Sequence, residues 1–190
     1  DKQKVCYQQG NAYFLYFYPS LSPDGTKLLI VAAEQVPYKP ETATAEVLDA
    51  ATMKLLNSVA LPVNYTGAIT KTSDYFLTDQ GAVFFIIKTD LNDKEIPKKA
   101  AFVFWDGKST DFKYQEIAMD KKKSDNGYAS IKNGTFFYFG LFKDDHSKKE
   151  NLPNKAGIFS VSLSMNDFKI TRSDFNYFPD AVATKLSYKD

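Results

Sequence analysis

The stretch Ser22-Pro23-Asp24-Gly25-Thr26 running into Lys27-Leu28-Leu29-Ile30-Val31-Ala32-Ala33 joins a tight turn to an almost wholly apolar strand, and the same pairing occurs twice more. Thr78-Asp79-Gln80-Gly81 leads into Ala82-Val83-Phe84-Phe85-Ile86-Ile87, and Lys132-Asn133-Gly134 leads into Thr135-Phe136-Phe137-Tyr138-Phe139-Gly140-Leu141. Asp, Asn and Gly make tight reversals because their short side chains bond to nearby amides or tolerate positive φ. The apolar runs are far shorter than the roughly 18 residues that a membrane helix needs, so they read as buried strands.

Each copy is followed by the same events. A polar insert containing Pro comes first (34–44, 88–99 and 143–155), then a second strand (45–48, 101–105 and 157–163). Short turns at Asp49-Ala50-Ala51-Thr52, Asp106-Gly107-Lys108-Ser109 and Ser164-Met165-Asn166-Asp167 reverse the chain into a third strand. That strand alternates, as in Phe112-Lys113-Tyr114-Gln115 and Phe168-Lys169-Ile170-Thr171-Arg172, so one of its faces meets solvent. Lead-in strands at 15–21, 74–77 and 128–131 make four per unit, and Lys4 to Gln8 offers a stray strand ahead of the first. The expected fold is all-β, a single segment over 1–190 made of antiparallel four-stranded blades of a partial β-propeller. The units fall at about 12–62, 74–119 and 128–172, with the first strand of a further blade at 181–190. A helix over Ala43 to Leu56 is the competing local reading, and the repeat demands strand, turn, strand there instead.

Blades stack face to face, so their inner strands need no polar face; hence Leu28 to Ala33, Val83 to Ile87 and Phe136 to Leu141 are expected to be covered on both sides. Propellers have about 4 to 8 blades, so the ring is expected to be completed by further chain in the first place, the alternatives being a second copy or an open array of sheets. Composition agrees with a packed β domain. The chain has 16 Phe and 12 Tyr among 190 residues, and flat rings pack well on pleated surfaces. A formal net charge of +1 supplies no global attraction to nucleic acid or anionic membrane. One cysteine, Cys6, excludes an internal disulfide and a cysteine-based zinc site. No apolar run suits a transmembrane helix, and the N-terminus reads as that of a mature or trimmed product.

The Ser22-Pro23-Asp24-Gly25-Thr26-Lys27 stretch resembles the repeat of TolB-like and WD40-like propellers, and Val47 to Leu56 looks like the strand-turn-strand that follows it in such blades. The resemblance is sharp in the first unit. The second has Asp79-Gln80 in place of Pro23-Asp24, the third lacks the proline, and no Gly-His pair supports the WD40 type. The Lys- and Phe/Tyr-rich style also resembles exported propeller lipoproteins of Bacteroidetes-type bacteria, which implies export and a surface-uptake role such as binding iron chelates.

In a meander alternate loops share one end, so the Pro-containing inserts and the linkers 62–73, 120–127 and 173–180 gather on one face, where long loops on a rigid scaffold usually carry binding. The ligand-binding candidates there are Lys88, the run Lys121-Lys122-Lys123, His146, and the stacking rings Tyr38, Tyr65 and Tyr177, all suited to an anionic ligand. The interspersed acids Asp90, Asp93, Glu95, Asp144, Asp145 and Glu150 make an ordinary solvated, mixed-sign rim the first reading of this face, with anion binding as the second. Asp144-Asp145-His146 has no second His or Cys to complete a zinc site, and Asp90 to Glu95 lacks calcium-loop spacing. Neither a nucleophile elbow nor a phosphate-binding glycine loop occurs, so no catalytic residue, metal or cofactor is expected. Asn64-Tyr65-Thr66 and Asn133-Gly134-Thr135 match the N-glycosylation pattern, but turn geometry explains the second.

Two functions follow. One is a non-enzymatic binding module that takes a protein partner or a small, anionic, iron-chelate-like ligand. The other is the propeller part of a larger enzyme such as a serine peptidase, with its catalytic residues outside this chain.

Overall fold

The computed structural model describes residues 3–7, 13–35, 42–62, 71–89, 99–119, 122–144, 155–179 and 181–182. Among these, thirteen strands form three sheets, each a meander whose neighbours in space are neighbours in sequence. Sheet 1 holds β1 (Gln3–Tyr7), β2 (Tyr13–Leu21), β3 (Lys27–Gln35), β4 (Thr42–Asp49) and β5 (Leu55–Ala60). Sheet 2 holds β6 (Lys71–Leu77), β7 (Val83–Thr89), β8 (Lys99–Trp105) and β9 (Phe112–Ile117). Sheet 3 holds β10 (Lys122–Lys132), β11 (Thr135–Asp144), β12 (Ala156–Ser164) and β13 (Lys169–Tyr177). The chain is all-β, with antiparallel sheets that are the blades of a partial β-propeller. The stray N-terminal strand adds to sheet 1 as a fifth, and 43–56 is strand, turn, strand. Residues 1–89 and 101–114 form one compact unit, and residues 90–100 and 115–190 a second.

The turns that suggested the repeat close it as expected. Gly25, Gly81 and Gly134 all have positive φ, and Asn133 at +49° precedes Gly134 at +70° in a two-residue hairpin between paired Lys132 and Thr135. Carboxylates fix the other reversals. Asp24 accepts from the Ser22 hydroxyl and the Thr26 amide, Asp49 from the Thr52 amide, and Asp106 from the Lys108 and Ser109 amides. Hydrogen bonds to the charged form hold all three below the usual carboxylate range, Asp24 to about 2 with the Ser22 hydroxyl as the largest cause.

Alternation gives each sheet two faces. In sheet 1, face A carries Leu29, Val31, Ala45, Val47 and Val59, while face B carries the in-register row Leu21, Leu28, Leu48 and Leu55. Sheet 2 repeats the frame with Leu77 opposite Val83 where sheet 1 has Leu21 opposite Leu28. Asp106 caps its turn as Asp49 does, which sets Trp105 in the place of Leu48. Face A of sheet 1 packs on face B of sheet 2 in one cluster that joins Leu29, Val31 and Val47 to Val83, Phe85 and Trp105, all 2% exposed or less. Burial of each such side chain contributes about 1.5–3 kcal/mol. The turn ends of these two sheets are also bonded. The Asp24 amide donates to Asp79 Oδ1 at 2.9 Å, the Lys27 ammonium to the Asp79 carbonyl, and the Asn57 amide nitrogen to the Gly107 carbonyl.

Strand β7 is covered on both sides, since Phe84 and Ile86 are as buried as Phe85 and Ile87. Strand β11 departs from the expectation. Phe136, Tyr138 and Phe142 are buried, but Phe139 and Leu141 on the opposite face are 43% and 49% exposed. The amide of Met165 bonds the Gly134 carbonyl as that of Ala50 bonds Thr26, which matches Phe137 to Leu29 and makes this open side face A of sheet 3.

Two segments expected to be linkers are strand. Pairing of β10 with β11 continues through a bulge between Lys123 and Asn126 out to Lys122 opposite Asp144, and β13 continues to Tyr177 opposite Gly157. Of the stretch expected to open a further blade, Ala181 and Val182 make a helical turn closed by the Val182 amide on the Pro179 carbonyl, and 183–190 lie outside the described residues.

Candidate functional site

The end of sheet 3 opposite its tight turns brings together two of the residues expected to bind ligand, Lys122 and Tyr177. Strand β12 separates β11 from β13, and its Gly157 makes their meeting possible: a Cβ there would lie 2.7 Å from the Phe142 ring and 2.2 Å from the Asn176 carbonyl oxygen. With no side chain at Gly157, the Phe142 and Tyr177 rings meet edge to face at 5.1 Å across the strand. Phe175, two residues before Tyr177 and so on the same face, meets Phe142 at 5.4 Å. The Lys122 ammonium lies 5.0 Å from the centre of the Phe175 ring and 5.9 Å from that of Phe142. At this half-buried position each contact is worth about 0.5–2 kcal/mol.

Tyr177 donates its hydroxyl to Asp144 Oδ1 at 2.9 Å. Burial first, then this bond and the charge of Asp144, push the phenol above its ordinary range, so it stays a donor at neutral pH. The site therefore presents a cation fixed over two rings and a phenol anchored to a carboxylate. It can hold an anionic group against Lys122 and stack a flat one near Tyr177, which is 47% exposed.

Of the remaining candidates, two lie among the described residues. Lys88 sits in β7 opposite Lys71, in the other compact unit. Lys123 is in β10. Tyr38, Tyr65, Lys121 and His146 lie outside the described residues. Among the described residues no three His, Cys, Asp or Glu side chains cluster as a metal site, and no helix is long and apolar enough to cross a membrane. The sequence reading missed Phe142, Phe175 and Gly157. The available signal was the Phe175-Asn176-Tyr177 alternation, which marks one face of a strand.

No family model matches the chain, and no curated protein matches it. Among solved structures the chain is similar to an ACO/RPE65 chimera, at 12% identity and a TM-score of 0.47. It is also similar to a mutant of the Synechocystis apocarotenoid oxygenase, at 13% identity and a TM-score of 0.48. Each likeness covers 92% of this chain and 46% of the other, so the chain spans about half the length of the solved structures it matches. The expectation of a non-enzymatic binding module is corrected by this finding, because the neighbours are an oxygenase and an oxygenase chimera. The likeness concerns the fold and assigns no reaction.

Proposed function

We propose that the chain is the propeller scaffold of an enzyme, and that the Lys122 and Tyr177 cluster is a substrate-holding corner at the loop end of sheet 3. With the stand-alone binder withdrawn, the propeller part of an enzyme is the reading that remains of the two drawn from the sequence. One observation carries the substrate-holding role: Lys122 is fixed over the Phe142 and Phe175 rings beside a Tyr177 hydroxyl bonded to Asp144. An ammonium pre-positioned on aromatic faces loses little side-chain freedom when an anion arrives, which favours binding. The substrate class this suits is a carboxylate or phosphate attached to a flat apolar body. The reacting groups come from outside the described residues, and the remaining blades from further chain or a second copy.

The test is a titration of the chain with citrate and with phenyl phosphate, followed by amide chemical shifts. Shifts confined to residues near 122, 142–144 and 175–177, and abolished in Lys122→Met, are expected. Uniform or absent shifts sink the site. In an enzyme that contains this chain, Lys122→Met raises KM for an anionic substrate and leaves kcat unchanged, because the lysine holds substrate without reacting.

A further inference from the structure

Among the described residues two sheet faces carry exposed apolar side chains, and the faces are of opposite kind. Face A of sheet 3 exposes Tyr128 at 62%, Phe139, Leu141 and Ile158. Register places them together, since Tyr128 opposes Phe139 and Leu141 opposes Ile158, and the Tyr128 and Phe139 rings lie 6.4 Å apart. Face B of sheet 1 carries the leucine row, in which the ends Leu21 and Leu55 are 60% and 51% exposed, Leu28 is half-buried and Leu48 is buried. Contiguous apolar surface of this kind on a sheet face marks an interaction surface. The covered interface between sheets 1 and 2 shows which faces mate. There, face A of sheet 1 is seated on the Leu77, Val83 and Trp105 row of sheet 2, the row that matches Leu21, Leu28 and Leu48 in register.

We infer that face A of sheet 3 docks on face B of sheet 1 in a second copy of this chain, repeating between copies the mating that joins sheets 1 and 2 within one. The chain carries both halves of the contact, and neither half matches itself in the A-to-B sense of the covered interface. A second copy is therefore the occupant that satisfies both faces with one kind of contact. The association is apolar, so it persists at high salt, unlike one steered by the Lys-rich loops.

The experiment is sedimentation velocity of the chain over a concentration series, with the single variants Leu141→Lys and Leu21→Glu checked for native circular dichroism. Both sites are exposed, so both variants are expected to fold. The wild type associates with rising concentration, and each variant alone is weakened at least about thirtyfold, the scale of a lost interface anchor. Mixing the two variants restores a two-copy species, because the Leu21→Glu chain keeps an intact face A and the Leu141→Lys chain an intact face B. A wild type that stays monomeric overturns the inference and leaves these faces to another partner. Undiminished association of either variant alone, or a mixture that fails to associate, overturns the A-to-B pairing.

Discussion

Asp24 works as a latch on its own turn, collecting the Ser22 hydroxyl, the Thr26 amide and the Thr26 hydroxyl on one carboxylate, and those bonds hold its pKa at about 2 against an ordinary 3.8. A carboxylate whose pKa is depressed on folding stabilises fully above its unfolded value, and that contribution fades as pH falls through the folded value. Asp24→Asn is therefore expected to lower the melting temperature at pH 7, with the gap to wild type closing between pH 3.8 and about 2. Thermal melts followed by circular dichroism read this directly, and a gap that is constant with pH would exclude the latch. Gly107 is fixed by a different constraint. Its φ is +75°, and a Cβ would fall 2.1 Å from the Gly81 carbonyl oxygen, a backbone atom with no rotamer to escape into. Gly107→Ala is expected to cost more than about 1 kcal/mol in urea unfolding, whereas the same change at Gly25, which meets nothing within 4 Å, costs only the backbone strain of its positive φ.

At the scale of the strand, burial follows the faces more closely than it follows hydrophobicity. Phe85 and Phe139 occupy comparable apolar strands, yet Phe85 is 0% exposed and Phe139 is 43% exposed. Phe85→Ala is expected to cost about 3–5 kcal/mol, and Phe139→Ala less than about 1 kcal/mol in the isolated chain. Equal losses by chemical denaturation would contradict the assignment of faces. The repeat, the four-strand units and the turn chemistry were legible because Gly, Asp and Asn recur at fixed offsets and each local preference agrees with the sheet it serves. The ends of the strands were not. Tyr177 and Lys122 read as linker because polar residues such as Asn176, Lys123 and Asp125 surround them, and only the register with Gly157 and Asp144 shows that pairing continues. The candidate site was half legible for the same reason: its charged and phenolic tips stand out in a sequence, while the glycine that lets the rings meet is visible only across three strands.

At the scale of the molecule, the first compact unit is held by apolar packing between sheets 1 and 2, with the turn-end bonds of Asp79 and Gly107 added at its margin. Aromatic contact carries part of that packing. Tyr18 of β2 meets Tyr75 of β6 at 5.6 Å, and Tyr75 continues to Phe85 at 5.7 Å, so a chain of rings runs from one sheet into the core of the other. If the two sheets unfold as one body, truncating either tyrosine destabilises both, and the second truncation costs less once the first has removed its partner. A double-mutant cycle of Tyr18→Leu and Tyr75→Leu is expected to give a coupling of about 0.5–1.5 kcal/mol, because Leu keeps most of the apolar area and removes the ring geometry. Coupling near zero would mean that the packing between sheets 1 and 2 does not set the cooperative unit.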